Sequence, residues 1–92
     1  MGSGMSKKVA TRVQTCKKGG GKELILDDCD IFDKMPEKLL SLSGLVKLDL
    51  SHNHLTSLSS NIGKLSKLEH FDFSYNEVEK LPSSITKLTK LV

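Results

Sequence analysis

Three histidines, two cysteines and a scatter of carboxylates are the side chains of this 92-residue chain that could do chemistry. His52 and His54 flank Asn53, and His70 follows later in the chain. A metal reading would need more ligands at close spacing. The sequence holds no paired-cysteine knuckle, no His-x-x-x-His helix and no other dedicated ligand set. Neither a specific metal site nor any other cofactor is expected.

Asp49 and Asp72 are the second candidates. They hold equivalent places in a repeat, and neighbouring strands would set their backbones roughly 5 Å apart. Paired carboxylates can share acid–base work when their surroundings separate their proton affinities. Here they fall on an open sheet, with no nucleophile or metal cage beside them. The Gly19, Gly20, Gly21 run lacks the Lys-Ser or Lys-Thr ending of a phosphate-binding loop and precedes a strand rather than a helix. The chain is therefore expected not to be an enzyme. Cys16 and Cys29 are read as free thiols, because two cysteines in a lysine-rich chain without a secretory leader seldom pair. Cys29 is read as structural and unreactive.

Charge is divided unevenly along the chain. Residues 1–22 carry Lys7, Lys8, Arg12, Lys17, Lys18 and Lys22 with no acid, whereas residues 23–92 carry 8 lysines against 11 acids. A basic head suits nucleic acid or anionic lipid in principle. It has no interleaved aromatics and no zinc or helix-turn-helix spacing, so no specific nucleic-acid partner is expected. No run of about 18 apolar residues is present, and no apolar signal region follows the basic start. The reading is a cytoplasmic protein without a membrane span. Met1 to Gly4, ahead of Met5, resembles an expression scar, so residues 1–5 are set aside from the fold.

The elements that must position these side chains follow from periodicity. Between Ser6 and Lys18 there is no glycine or proline, and Val9, Val13 and Cys16 recur at helical intervals. Ser6 is the expected N-cap and the three glycines the expected stop. A different period then begins. Leu45, Leu48, Leu50, Asn53, Leu55 and Leu58 return as Leu68, Phe71, Phe73, Asn76, Val78 and Leu81, each shifted by 23 residues. Ile62 and Leu65 return as Ile85 and Leu88. An earlier copy aligns Leu24, Leu26, Cys29 and Ile31 at a spacing of 24, then Met35, Leu39 and Leu42 at 23. One extra residue is thus expected between Ile31 and Met35, as a small bulge. Leu91 and Val92 are read as the opening of a fourth copy at which the array is truncated.

Self-similarity at this period is the mark of a repeat architecture. In each copy the Leu-x-x-Leu-x-Leu segment predicts a short strand whose alternate residues face inward, so Leu24, Leu26, Leu48, Leu50, Phe71 and Phe73 are the expected core. Three such strands would form one parallel sheet. Asn53 and Asn76 fall where the backbone leaves the strand, and a buried amide there can donate to and accept from main-chain groups. Cys29 takes that place in the first copy. Pro36 and Pro82 preset the return segments, whereas Ser59 should leave the middle one looser.

The leucine and asparagine spacing resembles the 23-residue, intracellular class of leucine-rich-repeat proteins, including Ras-suppressor and Ras-pathway scaffold proteins and plant intracellular relatives. The resemblance runs from Leu24 to Val92. It implies an α/β fold: a right-handed solenoid of short parallel strands, with residues 6–21 as an N-terminal capping helix and glycine linker and residues 22–92 as about three repeats. It also implies that the strands line a concave, protein-binding surface used in signalling or scaffolding. Its outward positions would be Glu23, Ile25, Asp27 and Asp28; Lys47, Asp49, Ser51 and His52; and His70, Asp72, Ser74 and Tyr75. Such an acidic strip suits a basic or mixed-polarity protein partner, with Tyr75 as anchor and Asp49 and Asp72 selecting charge. A second reading makes the chain a structural cap and the opening repeats of a larger array. Self-association through the last repeat is a further expectation.

Overall fold

A computed structural model describes residues 6–91 of the chain. The stretch set aside as a scar, residues 1–5, and Val92 of the fourth-copy opening lie outside the described residues.

The chain opens with helix α1 (Lys7–Lys18), and the Ser6 hydroxyl accepts the Val9 amide N–H at 3.2 Å as its N-cap. Gly19 closes the helix, and its amide and that of Gly21 donate to the Cys16 carbonyl at 3.1 and 2.8 Å. Gly20 and Gly21 have φ of 105° and 73°, values that side chains disfavour, so the reversal into the first strand depends on glycine. One face of α1 buries Val9, Val13 and Cys16. That stripe is too narrow to sustain a 12-residue helix alone, so packing against the first repeat supplies its stability.

Five short strands follow: β1 (Glu23–Ile25), β2 (Phe32–Lys34), β3 (Lys47–Asp49), β4 (His54–Ser57) and β5 (His70–Asp72). They form two parallel sheets, one in the order β1-β3-β5 and one pairing β2 with β4. In the larger sheet the register is strict, with Leu24, Leu48 and Phe71 side by side. The β2–β4 pair is an addition to the three strands the sequence predicts. Its register shifts between Asp33 and Lys34, inside the interval where the repeat length changes, but the unpaired residue is Thr56 of the partner strand. The Thr56 hydroxyl donates to the Asp33 carbonyl at 3.3 Å across that irregularity.

The return segments are 3-10 helices at Glu37–Ser41, Ile62–Lys64 and Ser83–Lys87. Pro36 and Pro82 stand at the N-caps of the two five-residue segments. Without proline the middle segment is reduced to three residues. Ser59 does not leave it unrestrained, because its buried hydroxyl accepts the Asn61 amide at 3.0 Å. Gly63 lets neighbouring segments approach closely: a Cβ there would sit 3.0 Å from the Ser84 carbonyl oxygen.

The core is one cluster running from Val9 on the helix to Leu88, with Leu26, Leu45, Leu48, Leu50, Leu55, Ile62, Leu65 and Leu68 wholly inaccessible. Burial is not uniform between repeats. Phe71 and Phe73 are only half-buried, in contrast to their expected enclosure, and Leu81 is 52% exposed where its equivalent Leu58 is 6% exposed. Among the described residues the middle repeat has a neighbour on both sides and the third on one side. A repeat's inner face closes when the adjacent repeat covers it.

Asn53 ties this arrangement together. Its Oδ1 accepts the buried amides of Cys29 and Ile31 at 2.9 and 3.1 Å. Its Nδ2 donates to the carbonyls of Leu26, Leu50 and Ser51 at 3.0, 2.9 and 3.1 Å. Asn76 makes the corresponding bonds to Leu55 N–H and to the Leu50, Phe73 and Ser74 carbonyls, from a more exposed position.

Two stability outcomes follow from these contrasts. Leu50→Ala is expected to cost about 2–5 kcal/mol by opening a closed cavity, and Phe73→Ala distinctly less, because its site is already partly open. Asn53→Ala strands two buried amides at about 1–3 kcal/mol each, a large share of the ~5–15 kcal/mol that holds a domain together. Urea unfolding should therefore rank Asn53→Ala well below Asn76→Ala in midpoint. Equal midpoints for those two variants would remove Asn53 from its central place.

Candidate functional site

The residues expected to form the outward strip fall into two sets. Lys47, Asp49, His70 and Asp72 lie on strands, where β3 and β5 place Lys47 beside His70 and Asp49 beside Asp72. Asp27, Asp28, His52 and Tyr75 do not: each strand ends before them. Asp28, His52 and Tyr75 are equivalent across the repeats and share the left-handed backbone, with φ of 52°, 57° and 56°. Beyond each of these three strands the left-handed residue turns the chain and aims the next residue, Cys29, Asn53 or Asn76, into the interior. The strip is thus a strand row followed by a turn row. Ser51, read as an outward position, is buried.

Each acid of the strand row is held by its own repeat. The Asp49 carboxylate accepts the Ser51 amide at 2.8 Å and the Ser51 hydroxyl at 2.6 Å. Asp72 does the same with Ser74, at 2.9 and 2.6 Å. This Asp-x-Ser closure was legible as a local side-chain turn but was not read as one. The Ser74 hydroxyl, then its amide, and the nearby His52 imidazole hold the Asp72 carboxyl below its ordinary value of 3.8 against a small opposing effect of burial.

In the turn row His52 and Tyr75 stack, with ring centroids 4.3 Å apart and planes inclined by 10°. Tyr75 remains 74% exposed, so the stack presents a broad ring to solvent while fixing its orientation. Beside it lies a shallow cleft of about 440 Å³, lined by Phe71, Asp72, Phe73, Ser74 and Val78 among others. A second stack joins β2 to β4: Phe32 lies 4.6 Å from His54 at 11°, and is itself 63% exposed. The sequence reading missed Phe32, which occupies no repeat position. His54 also stands 3.6 Å from Asp30 through Nε2.

The first repeat departs from this pattern. Ile25 stands where Asp49 and Asp72 stand, and Asp27 pairs with Arg12 of α1 at 2.8 Å. Both partners are substantially exposed, so the ion pair is worth about 0–1 kcal/mol and acts chiefly in placing the helix. Arg12 also donates to the Ile25 carbonyl at 3.0 Å, and Lys8 to the Asp28 carbonyl at 2.7 Å. Two of the six cations of the basic head are therefore turned toward the repeats.

The remaining chemistry is inert. Cys16 and Cys29 are free and buried, and burial pushes both thiols above the ordinary value of 9.0. Such thiols stay protonated at neutral pH and are poor nucleophiles. The Cys29 thiol donates to the Asp27 carbonyl at 3.4 Å, while its amide goes to Asn53. A cleft of about 760 Å³ between α1 and β1 contains Arg12, Cys16 and Glu23 but no activated nucleophile or base. Among the described residues no group of three or more His, Cys, Asp or Glu is placed to hold a metal ion. Among the described residues no helix is long and apolar enough to cross a membrane.

The depressed Asp72 value carries a pH signature. A carboxyl lowered in the folded state contributes stability that is complete above its unfolded value near 3.8 and is lost as pH falls through the folded one. Ser74→Ala should raise the Asp72 titration midpoint followed by carboxyl NMR and shrink the acid-side loss of stability. An unchanged midpoint would show that the serine does not hold the charge.

Comparison with known proteins fits this geometry. A search of curated proteins returned no match. The family model described as leucine rich repeat matches residues 43–92, more than half of the chain. That fold is a non-catalytic, protein-interaction fold. With its parallel strands in register, its asparagine-bonded turns and its 3-10 return segments, the chain belongs to the leucine-rich-repeat family.

Proposed function

We propose that the chain is a protein-interaction module that presents the β1-β3-β5 surface as the concave face of a right-handed leucine-rich-repeat solenoid. In this reading residues 6–21 are an N-terminal cap and linker, and residues 22–92 supply about three repeats. The observation that carries it is the exposed, oriented Tyr75 ring stacked on His52 beside the ordered Asp49 and Asp72 carboxylates. A large aromatic held in place loses little freedom on binding and can bury both ring and hydroxyl, which is the profile of an interface anchor.

The carboxylates give the surface its preference. Asp49 and Asp72 favour a basic or mixed-polarity partner surface and steer its approach, while Lys47, His52 and His70 admit polar contacts of either sign. Asp28 extends the turn row, whereas Asp27 is committed to Arg12. The setting we propose is cytoplasmic scaffolding or signalling of the Ras-suppressor-like, 23-residue class.

A second reading makes the chain chiefly the structural opening of a larger array. The contacts of Lys8 and Arg12 with the first repeat favour it, because they commit the helix to sealing one end of the sheet. The two readings differ in where a partner is lost.

Affinity capture followed by titration of the purified partner separates them. Tyr75→Ala is expected to weaken binding by about 2 kcal/mol, the range of an interface anchor. Asp49→Asn, which keeps an acceptor for Ser51, should mainly slow association and flatten its salt dependence. Lys64→Ala on the helical wall should change neither. Undiminished affinity in folded Tyr75→Ala and Asp49→Asn would leave the structural reading standing.

A further inference from the structure

We propose that the wall formed by the three 3-10 return segments docks on an anionic lipid bilayer, through lysine side chains and without insertion. The charges of the molecule are separated by face. Of its 11 acids only Glu37 falls within the return segments or the turns that follow them. Lys38, Lys64 and Lys87 lie in the segments themselves, and Lys67 and Lys90 in the turns just after. All five are exposed, and among the described residues none of them is paired with a carboxylate.

The fold assembles these cations into one surface. The three segments pack side by side, and Lys64 and Lys87 hold equivalent places 23 residues apart, as do Lys67 and Lys90. The parallel stacking that sets carboxylates in a row on the sheet therefore sets lysines in rows on the wall. Gly63 lets the rows stand close. Its missing side chain leaves room for Lys87, whose Cβ and Cδ would lie 3.1 and 3.0 Å from a Cβ at that position, so the Lys87 stem lies over the middle segment. The Ser84 hydroxyl donates to the Ser60 carbonyl at 2.6 Å and ties the same two repeats together. In the first repeat Ser41 and Gly44 take the places of the two lysines. There Lys38 and Lys17 of α1 line a common cleft of about 210 Å³, which carries the basic surface onto the helix.

The residue types select a bilayer. Lysine offers a mobile point charge on a long stem, without the rigid fork by which arginine grips one phosphate. A leaflet of mobile anionic headgroups demands no fixed geometry, and each lysine brought to it strengthens the contact about fivefold. The wall carries no aromatic ring on which a base could stack, and its segments, at most five residues long, offer no helix or ribbon to enter a duplex groove. It has neither an aromatic nor an arginine to anchor a protein partner. Its apolar residues face the core: Leu39, Ile62, Leu65 and Leu88 are buried. Contact is therefore superficial and electrostatic. No wall lysine belongs to the β1-β3-β5 surface, so the two faces can be engaged together.

Co-sedimentation of the whole chain with lipid vesicles tests the proposal. The chain should bind phosphatidylcholine vesicles containing about one-third phosphatidylserine and ignore vesicles of phosphatidylcholine alone. Rising salt should release it. Lys64→Gln with Lys87→Gln should weaken binding by about twenty-fivefold, at about fivefold for each charge. Lys64→Gln with Lys67→Gln should do the same while sparing the Lys87 stem over Gly63, and circular dichroism checks the fold of each variant. Lys8→Gln with Lys47→Gln removes the same charge from the sheet side and should cost far less. Equal losses in the wall and control pairs would make net charge the cause and overturn the proposal. So would a lack of binding to the anionic vesicles, binding that persists in high salt, or tighter wall-dependent binding to duplex DNA at the same salt.

Discussion

The buried amide of Asn53 is the interaction on which the rest of this structure depends. Strands three residues long cannot hold one repeat on the next by their own hydrogen bonds with much authority. At each strand end the backbone swings through a left-handed residue, and the turn leaves main-chain groups facing the interior. A buried amide or carbonyl without a partner costs as much as a well-packed methylene or more. Asn53 satisfies five such groups at once, two N–H groups of the preceding repeat and three carbonyls from both repeats. It is at once the turn's internal partner and the bond between neighbours. The register of the sheet is therefore set from two sides, by leucines beneath it and by asparagine at its end.

The same logic explains where the repeats differ. The middle repeat encloses its leucines because it has a neighbour on each side. The first does so because α1 lays Val9, Val13 and Cys16 over Leu24 and Leu26, and all five are buried. Cys29 fits there as the asparagine equivalent, since among the described residues α1 and not a repeat precedes it; its amide and that of Ile31 are instead served by Asn53. The third repeat has the same pattern of residues and leaves them half-covered. Burial in this fold is a property of neighbours more than of sequence.

That distinction also sets what was legible in the sequence. The period of 23 located the larger sheet and the asparagine turns, because each depends on residues close in one repeat or in step between two; the bulge expected between Ile31 and Met35 instead leaves Thr56 of the facing strand unpaired. The helix was legible from Ser6, the Val9–Val13–Cys16 stripe and the glycines. The β2–β4 pair was not: Phe32, Asp33 and Lys34 are all exposed and show no alternation, and Asp33 has a left-handed φ of 60°, so the pairing rests on the neighbouring repeat and on the Phe32–His54 stack. Nor were the left-handed positions, because Asp28, His52 and Tyr75 share no side-chain signal and are set by the need to turn Cys29, Asn53 and Asn76 inward. Arg12 and Asp27 meet only because the fold brings the helix over β1. Of the outward strip, the Lys47–His70 and Asp49–Asp72 rows lie where the repeat alignment puts them, and Ser51 does not.

Parallel strands in register convert a period in the sequence into rows of like side chains on the surface. A row of carboxylates at the spacing of strands, about 4.8 Å, is a liability that grows with each repeat. Here the liability is contained within each repeat, since Asp49 and Asp72 each close onto the serine two residues ahead. The bonds direct both carboxylates in the same way, and at Asp72 they also favour the charged form. What would be a mutually repelling row becomes an ordered one whose charge is available to a cation brought from outside. The first repeat cannot join the row, because Ile25 replaces the acid and Arg12 takes up Asp27. The ordered acidic row of the sheet therefore begins at the second repeat, away from the helix that packs on the first.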